Sequence, residues 1–242
     1  MTKINAGEFY HGDYLVESLK IKRESVDLVL TDPPYGITSP VFNENNYKLG
    51  KPENRITWDA PIDIGLLLKN ISRVLRAGGR AVIFGGGKTS VDLLSFYGRA
   101  IHKLRLSQRA VWVKPSSGFN LGCNSQLVGC FEDIFIFTKV GGETVFNRPC
   151  AKVKKNTFFY SHQKTFAHPT KKPERLLEDL IKTYSNKGDL VADFFSGSGS
   201  TGVACENTGR NYVLIERDPL FFEGGQLRCQ AAADEAFQEL KF

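Results

Sequence analysis

The sequence lacks the motifs of disulfide-bonded and zinc-binding proteins. Its 242 residues include five cysteines at irregular spacing, and neither Cys-x-x-Cys, His-x-Glu nor His-Glu-x-x-His occurs. No apolar run reaches the roughly 18 residues of a membrane-spanning helix, and residues 1–13 contain no stretch like the core of a secretory signal. We therefore expect a reduced, cytoplasmic protein without a membrane segment or a metal site.

Acidic residues are scarce in one part of the chain. Residues 139–172 include eight lysines or arginines and one acidic residue, whereas the whole chain has a net charge of +6. The remainder is therefore close to neutral. Such a segment suggests a polyanionic partner, nucleic acid first, although a solvated loop has the same composition. The candidate nucleic-acid contacts are Arg148, Lys152, Lys154 and Lys155.

Short apolar runs alternate with helical patterns along most of the chain. The apolar runs predict strands at 26–31, 80–84, 109–113, 131–138, 189–194 and 211–216. The other pattern predicts helices at 62–77, 89–101, 173–186, 200–208 and 219–240, with Gly78 and Gly79 ending the first. This alternation predicts an α/β fold with a doubly wound, mostly parallel sheet covered by helices on both faces.

Two segments interrupt the alternation. Residues 38–59 are polar and rich in asparagine, and Trp58 within them is a candidate for the border of a target pocket. Residues 140–166 carry most of the basic cluster, interleaved with aromatic residues that either insert into nucleic acid or pack a core. Because long loops inside a domain are usually functional or disordered, we expect one domain, formed by residues 1–139 and 167–242, with 140–166 as a small insert.

The strongest chemical signal is the Asp32–Tyr35 turn, Asp32-Pro33-Pro34-Tyr35, which directly follows a predicted strand. Ligands of open α/β sheets bind at the carboxyl ends of strands. The two prolines fix the backbone and lack N–H donors, so a rigid carbonyl lies beside an acid. This pair of acceptors suits a planar amino group, and Tyr35 offers a ring for stacking. A proline turn capped by aspartate is the purely structural alternative.

A second signal is the glycine turn, residues 194–199, which follows Asp193 and opens a predicted helix. Glycines allow a ligand to approach the backbone. Glu216 lies 23 residues after Asp193, about where an acid binds ribose in nucleotide-binding units. Gly197, Gly199 and Gly202 also match GxGxxG, which leaves a nicotinamide cofactor open, whereas Phe195 and the Asp32–Tyr35 turn favour S-adenosylmethionine.

Asp32-Pro33-Pro34-Tyr35 together with Phe195-x-Gly197-x-Gly199 resembles the motifs of DNA amino-methyltransferases, in the order of their beta group. The resemblance covers roughly residues 7–37, 71–84, 108–138 and 168–222. It implies a Rossmann-like methyltransferase domain, S-adenosylmethionine as cofactor and double-stranded DNA as partner. Residues 140–166 occupy the position of the family's target-recognition region.

The resemblance also implies residue roles. Asp32, Pro33, Pro34 and Tyr35 would hold and activate the target base. Asp13 would contact the cofactor adenine, Glu216 its ribose, and the segment 168–173 its methionine carboxylate. The implied cofactor-binding residues are Asp13, His168, Thr170, Lys172, Asp193, Phe195, Ser196, Gly197, Ser198, Gly199 and Glu216.

These features lead us to expect methyl transfer from S-adenosylmethionine to adenine N6 of a flipped-out base. Cytosine N4 is the nearest alternative, because both bases present an amine beside a ring nitrogen. More distant alternatives are an amide nitrogen in a protein, RNA, an inactive DNA-binding relative and a nicotinamide-dependent dehydrogenase. The resemblance also makes a homodimer possible.

Overall fold

The strands and helices form where apolar runs alternate with amphipathic stretches. The computed structural model describes residues 7–35, 62–98, 100–115, 129–147, 155–161 and 171–239. The described strands are β1 (Gly7–His11), β2 (Val26–Thr31), β3 (Leu75–Gly85), β4 (Ala100–Ile101), β5 (Leu104–Val113), β6 (Phe131–Lys139), β7 (Thr157–Phe159), β8 (Leu190–Asp193) and β9 (Asn211–Glu216). The described helices are α1 (Tyr14–Glu17), α2 (Ile64–Val74), α3 (Gly87–Leu94), α4 (Glu174–Tyr184), α5 (Ser200–Thr208) and α6 (Pro219–Glu239). None of these helices has the length and apolar character needed to cross a membrane.

The described strands form one sheet in the order β1-β9-β8-β2-β3-β6-β5-β4, with β7 paired to β5. Neighbours from β1 to β3 run parallel, whereas β6 is antiparallel to both β3 and β5. Apolar side chains pack on both faces, with Leu67 of α2 in one core and Leu180 of α4 in the other. The predicted mostly parallel, doubly wound α/β fold is confirmed.

The position of a ligand site follows from the connections of β2 and β8. These strands are neighbours, but the chain leaves β2 through α2 toward β3 and leaves β8 through α5 toward β9. The two connections therefore diverge. At such a switch point the loops separate and leave a crevice at the carboxyl ends of the strands. The turns that follow β2 and β8 are the Asp32–Tyr35 turn and the glycine turn.

The predicted end of the first helix is wrong. Helix α2 ends at Val74, and Gly78 and Gly79 lie within β3 instead of capping a helix. The pairing of β2 with β3 shifts register here, which accommodates the extra residues as a bulge. Gly78 has φ +79°, and a Cβ at this position would lie 2.0 Å from the carbonyl oxygen of Glu143. Position 78 therefore requires glycine, because the backbone at Glu143 leaves no space for a side chain.

The predicted helix 89–101 is also too long. Helix α3 ends at Leu94, and Ala100 and Ile101 form a short hairpin with the start of β5. The two residues between these strands, His102 and Lys103, have φ of +50° and +66°. Both values match the turn that joins the strands of tight hairpins. Glycine and asparagine, the usual residues of this turn, are missing, so no local pattern indicates it.

Part of the predicted insert belongs to the main sheet. Strand β7 lies parallel to the end of β5, with Trp112 opposite Phe158 and Val113 opposite Phe159. Trp112, which lies in the predicted strand 109–113, is fully buried, and Phe158 packs beside it. Phe159 points outward and is 66% exposed. The pleat explains this difference, because consecutive strand residues face opposite sides of the sheet.

Candidate active site

A cavity of about 430 Å³ opens at the carboxyl ends of β2, β8 and β9. Both predicted turns line it, and so do Asp13, Lys172 and Glu216, which the sequence predicts as cofactor-binding residues. The fold therefore joins segments that are more than 150 residues apart in the sequence. The volume lies in the range of about 300–1,000 Å³ that is usual for small-molecule sites.

Both oxygens of the Asp32 carboxylate accept hydrogen bonds from side chains. The Tyr35 hydroxyl donates to Asp32 Oδ1 at 2.5 Å, and the Lys172 ammonium donates to Oδ2. Gly86 lies against the tyrosine ring, where a Cβ would be 2.9 Å from Tyr35 Cδ2. Burial and the Asp32 charge hold the pKa of the Tyr35 phenol well above its ordinary value. Tyr35 is therefore a neutral hydrogen-bond donor to the carboxylate.

Two residues that the sequence analysis missed, Glu132 and Lys114, extend this arrangement. The Lys172 ammonium lies 3.1 Å from Glu132 Oε2, and the Lys114 ammonium forms an ion pair with Glu132 Oε1. Burial lowers the pKa of Lys172, but Asp32 and Glu132 outweigh this effect and raise it. Burial likewise raises the pKa of Glu132, yet Lys172 and Lys114 lower it overall. The site thus contains a group of two carboxylates and two ammonium groups, in which Lys172 is buried and the other three side chains are half-buried.

Glu132 reaches the cavity because β6 is antiparallel to the neighbouring strand β3. Since β6 is antiparallel to β3, its amino end lies at the edge where the parallel strands have their carboxyl ends. A sequence signal existed, since Glu132 and Asp133 are two acids at the start of an otherwise apolar strand. The strand direction, however, cannot be derived from the pattern alone. The Lys172 ammonium also lies 5.1 Å from the centre of the Phe84 ring and 6.0 Å from that of Trp112.

Asp193 connects β2 to the glycine turn. Its Oδ1 accepts hydrogen bonds from the Thr31 hydroxyl at 2.8 Å and from the Phe195 N–H at 3.1 Å. Its Oδ2 accepts from the Thr201 hydroxyl at 2.6 Å. Burial raises the pKa of the Asp193 carboxyl to about 6, although these donors lower it. The residue just before Asp32 is thereby fixed to the turn that follows β8.

The glycine turn is shaped by two residues with positive φ, Gly197 at +51° and Gly199 at +76°. Glu216 fastens the turn, since its Oε2 accepts from the Gly197 N–H at 2.7 Å and its Oε1 from the Asp218 N–H at 2.7 Å. Burial raises the pKa of the Glu216 carboxyl. Ser196 donates from both N–H and hydroxyl to the Ile215 carbonyl, at 3.0 and 3.1 Å.

The remaining lining residues supply polar and aromatic groups. Asp13 caps α1 by accepting from the Leu15 N–H at 2.8 Å and lies at the cavity wall. The rings of Tyr14 and Phe195 are 4.9 Å apart. Ser198 accepts from Arg228 at 3.0 Å. The cavity therefore offers aromatic surface, hydroxyl groups and the Glu216 carboxylate, which are the groups that hold a nucleoside.

The predicted site residues differ in their placement. Asp32, Asp193, Phe195 and Glu216 meet at the cavity, and Lys172 lies against Asp32. Lys155 is exposed and lies outside the cavity lining. The predicted residues His168, Thr170, Arg148, Lys152, Lys154 and Trp58 lie outside the described residues.

Comparison with known proteins relates this arrangement to DNA modification. A family model described as DNA methylase matches residues 26–226. The chain is 29% identical to the DNA adenine methyltransferase YhdJ of Escherichia coli strain K12, over 95% of this chain and 85% of that protein. It is 27% identical to the Type II methyltransferase M.HpaI of Haemophilus parainfluenzae, over 89% and 72% of the two chains.

Solved structures share the fold. The M1.HpyAVI–SAM complex superposes with a TM-score of 0.70 at 23% identity and covers 92% of this chain and 98% of that one. The PvuII DNA methyltransferase (cytosine-N4-specific) superposes with a TM-score of 0.71 at 18% identity, over 98% and 94% of the chains. Since the family match extends over most of the chain and the Asp32–Tyr35 turn precedes the glycine turn, the protein belongs to the DNA methylase family, as a beta-group amino-methyltransferase.

Proposed function

We propose that this protein transfers a methyl group from S-adenosylmethionine to N6 of adenine in double-stranded DNA. One observation carries the proposal: the Asp32 carboxylate and the proline-fixed turn line the same cavity as the glycine turn and Glu216. A target amine and a nucleoside cofactor can thus meet in one cavity. The choice of adenine is supported by the 29% identity to a relative named as a DNA adenine methyltransferase.

The cofactor would be held by the residues around the glycine turn. Glu216 offers a carboxylate for ribose hydroxyls, Asp13 an acceptor for the adenine amine, and Ser196 and Ser198 hydroxyls for the methionine end. S-adenosylmethionine supplies a methyl group on a positively charged sulfur, which becomes a neutral thioether when the methyl group leaves. The close approach of the ligand to the backbone is permitted by Gly197 and Gly199, which lack side chains.

The adenine amine is a weak nucleophile, because its lone pair is delocalised into the ring. Asp32 and the Pro33 carbonyl would accept its two N–H groups, which favours a localised lone pair, while Tyr35 stacks on the base. The Asp32 charge stabilises the positive charge that develops on nitrogen during the transfer. Asp32 is also in position to accept the proton that the methylated amine releases. Alignment of the two reactants would contribute a large part of the rate.

A paired base cannot reach the Asp32–Tyr35 turn, so the target base must leave the duplex, at a cost of a few kcal/mol. Arg148, Lys152, Lys154 and Lys155 are the proposed phosphate contacts that offset this cost. Residues 140–166 are the proposed target-recognition insert. We expect the protein to act in the cytoplasm. Sedimentation with and without DNA tests whether the chain forms the homodimer that the resemblance makes possible.

The decisive experiment uses labelled S-adenosylmethionine, unmethylated duplex DNA and the full chain. The product is digested to nucleosides and identified. We expect N6-methyldeoxyadenosine. N4-methyldeoxycytidine would instead establish the alternative that the fold of the cytosine-N4-specific PvuII enzyme keeps open. RNA of the same sequence is the control for sugar specificity.

A variant separates an active methyltransferase from an inactive DNA-binding relative. Asp32→Ala removes the acceptor of the amine but none of the hydrogen bonds that fasten the glycine turn. We expect methyl transfer to disappear while the cofactor affinity changes by less than about threefold. Full activity of Asp32→Ala would refute the assigned role of the turn, and absence of transfer by the wild type to any nucleic acid would favour a binding role alone.

A further inference from the structure

Both oxygens of the Asp32 carboxylate are engaged in the structure. Oδ1 accepts from the Tyr35 hydroxyl at 2.5 Å, and Oδ2 accepts from the Lys172 ammonium. Because a carboxylate oxygen can accept two hydrogen bonds, a substrate amine that binds Asp32 either shares an oxygen with one of these donors or displaces it. The phenol is neutral, whereas the ammonium is held by charge. Both hydrogen bonds involve the carboxylate charge, but only the ammonium has a charge of its own and also pairs with Glu132, so the Tyr35 hydroxyl is the donor that gives way.

Lys172 is held against Asp32 by a second carboxylate from another strand. Glu132 Oε2 lies 3.1 Å from the Lys172 ammonium, and Lys114 forms an ion pair with the other Glu132 oxygen. The Lys172 side chain is 8% exposed and that of Glu132 is 15% exposed. Displacing this ammonium would leave a charge almost out of contact with water, which is strongly unfavourable.

We propose that Glu132 is a positioning residue for methyl transfer, which fixes the Lys172 ammonium on Oδ2 of Asp32 so that Oδ1 accepts the target amine. This inference rests on the proposed function. In this arrangement Lys172 favours the ionised form of Asp32 and sets the direction of the oxygen that accepts the amine. Glu132 keeps the ammonium in place on Oδ2 when the Tyr35 hydroxyl leaves Oδ1 and the ring stacks on the base. The sequence resemblance, in contrast, assigned Lys172 to the cofactor carboxylate.

The charged groups around Asp32 determine how each substitution acts. Lys172 precedes α4, Glu132 lies on β6, and Asp193 ends β8, while Lys114 lies behind Glu132. Burial raises the pKa of Asp32, Lys172 lowers it, and Glu132 raises it. Removing Lys172 therefore favours protonated Asp32, and removing the charge of Glu132 favours the ionised form.

The opposite effects of Lys172 and Glu132 on the pKa of Asp32 distinguish a positioning role from a merely structural one. Single-turnover methylation of duplex DNA is measured against pH for the wild type, Glu132→Gln, Lys172→Met and the double variant. Glu132→Gln should reduce the plateau rate by about tenfold to 100-fold, because the reactants are misaligned. It should also move the acid limb, the part of the pH–rate profile where the rate falls at low pH, to lower pH. Lys172→Met should move that limb upward by about one pH unit or more. The double variant should lie between them in the position of the limb.

Controls keep the outcomes distinct. Asp133→Asn removes the neighbouring acid on β6, whose partner is Arg109, and should leave the pH profile as in the wild type. Cofactor affinity should stay within about threefold in all variants. Glu132→Asp keeps the charge but shortens the side chain, so its rate should fall with the limb unmoved. It also replaces Glu132→Gln if that variant does not fold.

The inference is overturned if Glu132→Gln, or Glu132→Asp in its place, transfers at the wild-type rate with an unshifted limb. It is equally overturned if Glu132→Gln and Lys172→Met shift the limb in the same direction. A wild-type protein that methylates no DNA would instead remove the proposed function, and this inference with it.

Discussion

Ionisation of Asp193 is expected to reduce the stability of the folded protein. Burial raises the pKa of this carboxyl from 3.8 to about 6, despite hydrogen bonds from Thr201, Phe195 and Thr31. Because the folded-state pKa is above the unfolded value, Asp193 favours folding at low pH, and this contribution is lost as the pH rises through about 6. At about 1.4 kcal/mol per pH unit, the difference corresponds to about 3 kcal/mol.

Asp193→Asn isolates this effect, because the amide resembles the protonated carboxyl. Its oxygen can still accept from Thr31 and Phe195, and its amino group can face the Thr201 hydroxyl. Relative to that of the wild type, the free energy of unfolding of the variant should increase by about 2 kcal/mol between about pH 4.5 and 7.5, which means that the variant becomes the more stable of the two. Urea denaturation across this range, without ligand, measures the difference.

A second substitution tests the cause. Thr201→Val removes a hydroxyl that lowers the pKa of Asp193, so the pH at which stability is lost should move upward. Asp133→Asn controls for the loss of a carboxylate elsewhere in the sheet. If the stability curves of Asp193→Asn and the wild type run parallel across this pH range, Asp193 does not titrate between its folded and unfolded values and the reasoning fails.

Other substitutions test the cofactor site, the packing and the DNA contacts. Glu216→Gln loses one of two backbone hydrogen bonds, so cofactor binding measured by calorimetry should weaken about tenfold; unchanged affinity would contradict its role in the turn. Gly202→Val should destabilise the fold by about 1–3 kcal/mol or more in thermal denaturation, because a Cβ there lies 2.5 Å from the sulfur of Cys229; an unchanged melting temperature would argue against this packing. Alanine at Lys152, Lys154 and Lys155 together should reduce the slope of DNA affinity against salt by about two to three, whereas an unchanged slope would indicate a solvated surface.

Much of the fold was predictable because its elements are local. Strands β2 and β9 and helix α5 have the predicted bounds, since each is an apolar run or helical stretch between clear turn residues. The predicted elements are wrong or missing where contacts with distant segments determine the local structure. The bulge in β3 at Gly78 depends on the backbone of Glu143, and β1 and β7 exist as edge additions to strands far away in the sequence.

Some parts of the site, like parts of the fold, follow from local sequence, whereas others depend on contacts between distant segments. The Asp32–Tyr35 turn and the glycine turn can be read from the sequence alone, because proline and glycine restrict or free the backbone at their own positions. The ion pairs of Lys172 with Asp32 and Glu132 depend on the folded structure, because strand order and the antiparallel direction of β6 bring these charges together. Such a pairing depends on distances of a few ångströms between segments more than 100 residues apart in sequence, as for Asp32 and Lys172, and no local pattern encodes them.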